Sequence, residues 1–192
     1  MSRNVGILIF NDVEVLDFAG PFEVFSVASE LNNSKLFNVF TVAKSLTPVT
    51  TVNGLSVNPN YDFNNTPPLD ILIIPGGFGT RQLLKDTKTL AWIQESIQNT
   101  ELTITICTGS SVLGKLGILD NQPYCTHYSM YGFMEELVPT GFPQKSKRFI
   151  GFDKFYTSGG ISAGIDVSFH CVEMLYGKDI AQQTAAYMEY KA

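Results

Sequence analysis

Leu102-Thr103-Ile104-Thr105-Ile106-Cys107-Thr108-Gly109-Ser110-Ser111 carries a short apolar, β-prone run straight into one cysteine and then into small residues. Leu102 to Ile106 suits a strand buried on both faces, as in a parallel sheet. Thr108 to Leu116 reads as a helix despite its small residues. The junction is then a sharp strand-to-helix turn that pushes the Cys107 side chain out at the carboxyl end of the sheet, in the manner of a nucleophile elbow. Ligands of open α/β sheets bind at that edge. The amino end of the following helix points at the sulfur and favours thiolate over thiol. Free cysteines are often merely buried, but placement at the elbow among small residues favours a reactive thiol.

The same alternation extends in both directions. Val5 to Phe10 is an apolar strand-like run, Asn11-Asp12 breaks it, and Leu16 to Leu31 reads as a helix with Asp17 at its start and Pro21 in the first turn or so. Proline is tolerated there. Phe37 to Ala43 is a second strand, and Val49 to Val57 a hairpin around Asn53-Gly54. Asn64 to Pro68 is a loop. Asp70 to Ile74 is another buried strand, ending in Pro75-Gly76-Gly77-Phe78-Gly79. Leu83 to Ile97 is helical material broken near Asp86-Thr87. Beyond the elbow come a short helix at Tyr131 to Val138 and two strands within Phe149 to Ser158. Ser162 to Leu175 is amphipathic, and Ala181 to Tyr190 forms a last helix. Strands alternating with helices predict a doubly wound α/β sandwich, with residues 1–192 forming one domain.

The bulk numbers narrow the function. The chain has 192 residues, 44% hydrophobic and 16% charged, with a net charge of -5, values that fit one globular domain. The densest basic run, Lys145-Ser146-Lys147-Arg148, reads as a solvated loop, so nucleic acid is not an expected partner. No apolar run approaches a membrane span, and Met1 to Val5 lacks a signal-peptide pattern. Three cysteines in no paired spacing predict neither a disulfide framework nor a zinc site, and the expected compartment is the reducing cytoplasm.

Other candidate site residues follow from position. Asp17 starts a helix, which alone makes it only an acidic residue favoured by the dipole. Gly76 and Gly77 could present N–H groups as an oxyanion-type site beside Cys107, or could form a tight turn; the residues fit both. Gly109 sits in the elbow and is a candidate for the same role. His127 in Cys125-Thr126-His127-Tyr128 is a minor candidate, and His170 reads as packing or surface. Cys125 and Cys171, set among apolar residues, read as inert core thiols. Ser158 to Asp166 is a glycine-rich turn opening a helix, without a G-x-G-x-x-G frame or a Walker lysine. Its expected use is close backbone approach to the site, with Gly160 and Ile161 as substrate-binding candidates.

Five segments in this order resemble the ThiJ/PfpI superfamily, also called class I glutamine-amidotransferase-like, over nearly the whole chain. They are Leu16-Asp17-Phe18-Ala19-Gly20-Pro21-Phe22-Glu23-Val24, Ile74-Pro75-Gly76-Gly77-Phe78-Gly79 and Ile106-Cys107-Thr108-Gly109, then Leu116 to Asp120 leading to Thr126-His127, and Thr157 to Asp166. Within the superfamily, Asp-x-x-Gly-Pro, Cys-Thr-Gly and Ser-Ala-Gly-Ile-Asp resemble the isonitrile hydratase branch and the amidotransferase-like domains of AraC-type regulators. The resemblance implies a flavodoxin-like fold and a homodimer. It also implies Cys107 as nucleophile, Asp17 as its acidic partner and Thr108 as a residue that positions substrate. His127 stands where the chaperone/deglycase branch also carries a His near its cysteine. Thr108 follows Cys107 where PfpI-type peptidases and amidotransferases place a His beside or near the nucleophile, and Ser162-Ala163-Gly164 offers no His-x-Glu. This points away from a Cys-His-Glu enzyme. No helix-turn-helix segment follows the core, so a full AraC-type regulator is not expected.

The resulting expectation is hydration of a small isonitrile to an N-substituted formamide through a covalent Cys107 intermediate, with no cofactor or metal. The alternatives are a thiol-based oxidative-stress sensor, a glyoxalase- or deglycase-like stress protein, and a non-catalytic small-molecule binding domain.

Overall fold

The computed structural model describes residues 2–32 and 35–191; the expected domain ends Met1 and Ala192, with Asn33 and Ser34, lie outside the described residues. Strand β1 (Arg3–Leu8) leads to helix α1 (Val15–Glu30) and β2 (Phe37–Ala43). A small hairpin, β3 (Val49–Thr50) and β4 (Ser56–Val57), precedes β5 (Tyr61–Asp62) and β6 (Ile71–Ile74). Helices α2 (Thr80–Leu83) and α3 (Thr87–Asn99) lead to β7 (Leu102–Thr105) and, after one 3-10 turn, α4 (Ser110–Lys115). Then come β8 (Pro123–Tyr124), α5 (Tyr131–Leu137), β9 (Phe142–Pro143), β10 (Phe149–Phe152), β11 (Phe155–Ser158), α6 (Ala163–Tyr176) and α7 (Lys178–Tyr187).

The main sheet runs β10-β11-β7-β6-β1-β2-β5 and is parallel except for β10 against β11. Apolar runs suit its central strands because alternate side chains enter two different cores. Ile71 and Ile73 of β6 pack with Phe25 and Ala28 of α1 and Val167 and Cys171 of α6. Leu72 and Ile74 pack on the other face with Ile93 and Ile97 of α3, Val112 and Leu113 of α4 and Met134 of α5. The α/β fold class expected from the sequence is the one observed.

The topology fixes where a site can form. From β1 the chain moves to β2 on one side and later returns to β6 on the other, so the carboxyl ends of β1 and β6 border a crevice. The loop from β1 into α1, the Pro75–Gly79 turn after β6 and the elbow after β7 all open there.

Several local expectations need correction. Pro21 lies in the second turn of α1, not the first, because the helix begins at Val15. It leaves the Asp17 carbonyl without its usual i+4 donor. The last helix starts at Lys178, three residues before the expected Ala181, because Gly177 at φ 93° separates it from α6. The helix after Cys107 begins as a 3-10 turn, and its α-helical part spans only six residues.

Candidate active site

Cys107 occupies the elbow expected of it. Its φ is 57°, the left-handed region that costs an L-residue about 1–2 kcal/mol. The surrounding bonds fix that conformation. The Cys107 N–H donates to Gly159 O at 3.1 Å, and its carbonyl accepts the hydroxyls of Ser110 and Thr126, each at 3.1 Å. The side chain is nearly buried, at 6% exposure, yet forms part of the wall of a small cavity of about 180 Å³.

Asp17, in the first turn of α1, is fully buried behind that wall. Its Oδ2 accepts the Gly76 N–H at 2.9 Å, while Oδ1 has no hydrogen-bond partner among the described residues. Burial pushes the carboxyl up to about 7; the Gly76 bond opposes this, and the charge of Glu14 adds to it. Burial likewise pushes the Cys107 thiol well above its ordinary range, and the Asp17 charge adds to that. This corrects the expected helix-activated thiolate. The helix behind the sulfur is short, and desolvation outweighs what its dipole supplies. The Ile161 N–H bears on both groups and favours the charged form of each.

The expected glycine donors are already engaged. The Gly76 N–H is held by Asp17, and the Gly77 N–H donates to Thr108 Oγ1 at 2.9 Å. Gly109 gives its N–H to Ile106 O at 2.9 Å and is buried against Ile74 O, behind the cavity. The close approach of these turns requires glycine, but none of the three offers a free oxyanion donor. Thr108 is at the cavity wall, and its hydroxyl organises the turn: it accepts from Gly77 N–H and lies 3.1 Å from Thr80 Oγ1.

Ile161 and His127 also reach the cavity wall. Ile161 has φ 52°, an outlier for a β-branched residue of the kind that clusters at functional sites. His127 Nδ1 pairs with Ser129 Oγ at 2.8 Å, and the ring packs on Gly160, which itself stays behind the wall. Cys125 and Cys171 are buried free thiols; burial pushes Cys125 up to about 11, and raises Cys171 as well.

Sequence reasoning missed Glu14, Phe78, Thr80, Arg81, Ser129 and Met130, which complete the wall. Phe78 and Arg81 share one helical turn beginning in the Pro75–Gly79 segment, ahead of the Leu83 start expected for helical material: Arg81 N–H donates to Phe78 O, and the guanidinium lies 5.6 Å from the Phe78 ring centroid. A larger open cleft of about 680 Å³ lies beside the ends of β1 and β2 and includes the Lys44–Asp86 ion pair. No cysteine is among the residues that line it.

Residues 3–174 match the model of the DJ-1/PfpI family. The chain is 34% identical over 192 residues to the isonitrile hydratase of Pseudomonas putida, covering 99% of this chain and 79% of that enzyme. It is 23% identical over 180 residues to the HTH-type transcriptional regulator GbdR of Pseudomonas aeruginosa, covering 93% of this chain and 48% of the regulator, about half the regulator's length. Among solved structures, a ThiJ/PfpI family protein from Pseudomonas syringae superposes with a TM-score of 0.89 at 26% identity, covering all of this chain and 76% of that one. Drosophila melanogaster DJ-1beta superposes with a TM-score of 0.84 at 16% identity, each chain fully covered, a likeness of fold alone.

Proposed function

The chain belongs to the DJ-1/PfpI family, and on that footing we propose that it hydrates a small isonitrile to an N-substituted formamide. The observation that carries this reading is the buried Asp17–Cys107 pair, with the carboxyl pushed up to about 7. Such a carboxyl can take and return a proton near neutral pH. The 34% identity to an isonitrile hydratase supports the same reading.

The pair reacts with one proton between them. The sulfur bonds to the terminal carbon of R–N≡C, and the thiol proton passes through Asp17 to that carbon, giving the thioimidate R–N=CH–S–Cys107. Asp17, again a carboxylate, takes a proton as the water oxygen bonds to the carbon, and that proton goes to nitrogen. The C–S bond of R–NH–CH(OH)–S–Cys107 then breaks, the hydroxyl proton returns to sulfur, and R–NH–CHO leaves. A cavity of about 180 Å³ restricts R to a small group. The reading includes a homodimer acting in the cytoplasm.

The 34% identity to an isonitrile hydratase over 99% of this chain favours this scheme over a peroxide sensor or a deglycase. Ligand binding without turnover is the second reading, supported by the regulator matched over 93% of this chain. Intact-protein mass spectrometry with a simple isonitrile, alongside formamide detection, separates them. The hydratase reading requires a transient adduct on Cys107 and released formamide. Saturable binding with neither would overturn it in favour of the second.

A further inference from the structure

The strained residue at the site is held from outside it. The turn carrying Ile161 runs from Gly159 to Ser162, and Arg148 grips it at both ends. The Arg148 carbonyl accepts the Gly159 N–H at 2.8 Å, and its Nη2 donates to Ser162 Oγ at 3.0 Å. The same guanidinium donates through Nε to Asp166 Oδ2, in the first turn of α6. The other oxygen, Asp166 Oδ1, accepts the hydroxyl of Tyr190, which lies beyond α7 and stacks on Phe169 at 5.2 Å. The planar guanidinium fork suits such a two-point grip, whereas a lysine offers only one compact charge. Gly159 in turn accepts the Cys107 N–H. The chain of contacts therefore runs from Tyr190 to the backbone of the nucleophile. None of Arg148, Asp166 and Tyr190 lines the Cys107 cavity.

We propose that Arg148, Asp166 and Tyr190 are positioning residues, which hold the Gly159–Ser162 turn closed over the Cys107–Asp17 pair with Ile161 in its left-handed conformation. Arg148 is exposed while Asp166 is partly buried, and an ion pair with one partner in solvent contributes little to global stability. A positioning role therefore separates from a structural one: the site should respond far more than the fold. The inference builds on the reactive pair named above, but its main test needs no isonitrile.

The test is the pH dependence of Cys107 alkylation by iodoacetamide, followed by peptide mass spectrometry, in the wild type, Arg148→Ala, Arg148→Lys and Tyr190→Phe. The groups around the thiol are Asp17 on α1, Glu14 before it, Arg81 on α2 and His127. All stay in place in these variants. Burial is the largest influence on the thiol, so a loosened turn that admits water should move the midpoint down. Alkylation at pH 7 should then rise roughly tenfold for each unit that the midpoint falls. The expected order is Arg148→Ala largest, Arg148→Lys intermediate because one charge keeps one of the two grips, and Tyr190→Phe nearest to wild type because its hydroxyl acts only through Asp166, with thermal midpoints close to wild type. Lys44→Ala, which breaks an ion pair in the other cleft, is the stability control. Unchanged or slower alkylation in Arg148→Ala, or an equal change in Lys44→Ala, would overturn the proposal. Absence of formamide in the wild type would overturn the hydratase reading and leave this result standing.

Discussion

Asp17 and Cys107 meet in the interior, and their pairing is unequal: the Asp17 charge makes the thiol harder to ionise, whereas the thiol favours the carboxylate against the burial that raises it. The carboxyl has one strong partner, the Gly76 N–H at 2.9 Å, and one oxygen with none among the described residues. The two sites therefore titrate as a pair, and the working form holds one proton.

Activity should follow that proton. Below about 7 both groups are protonated and the base is lost. Isonitrile kcat/KM should therefore rise with pH through about 7 and stay level into the alkaline range, because the thiol lies well above its ordinary value. A pH profile already flat at 5 would contradict a carboxyl raised by burial.

Stability should move the opposite way. The folded chain keeps the Asp17 proton up to about 7, whereas an unfolded chain releases it near 4. This group's contribution is fully present below about 4 and is lost as pH rises through about 7, a change of order 4 kcal/mol. Asp17→Asn should remove that slope and unfold at higher urea than wild type at pH 8, while losing turnover. Parallel urea titrations of the two proteins at pH 4 to 8 check it.

Cys107→Ala should abolish both the adduct and formamide release, and Cys107→Ser should lose at least about a thousandfold, since the hydroxyl is a far weaker nucleophile at its ordinary pKa. Both variants keep the left-handed backbone set by Gly159, Ser110 and Thr126, so their unfolding midpoints should stay near wild type. Retained turnover in Cys107→Ala would remove the covalent scheme.

Much of this site was legible because its residues stand where strands end. The run Leu102–Ile106 before Cys107, and Asp70–Ile74 before Gly76, show in sequence as apolar segments stopped by small residues, and both end at the same sheet edge. What sequence could not show is which donors remain unoccupied. Gly76 and Gly77 read as open N–H groups until their partners, Asp17 and Thr108, are placed 59 and 31 residues away. The state of the thiol was hidden for the same reason: a helix start is a local signal, whereas burial depends on the whole packed interior. The edge strand β5 and the short strands β8 and β9 escaped notice because two residues carry no periodicity.

Thr108→Val should separate organisation from chemistry. It keeps the shape but removes the hydroxyl that accepts the Gly77 N–H. A backbone donor left without a partner costs about 1–3 kcal/mol. Thr108→Ser retains the acceptor and should recover most of the loss. Denaturant midpoints should rank wild type, then Ser, then Val, and kcat/KM should follow the same order.

Gly76→Ala is the sharpest test of the close approach between the two turns. A Cβ at Gly76 would lie 2.6 Å from Thr108 N and 2.8 Å from Cys107 Cβ, with little room for either to move because both belong to the elbow. The same residue donates its N–H to Asp17 and accepts the Glu14 N–H at 3.0 Å, so a shift of Gly76 drags the acid away from the thiol. Overpacking of this kind costs typically about 1–3 kcal/mol. The variant should fold with a lowered urea midpoint and show formamide production reduced well beyond what the stability loss explains. A fully active Gly76→Ala would mean that the contact between the β6 turn and the elbow does not set the Asp17–Cys107 geometry.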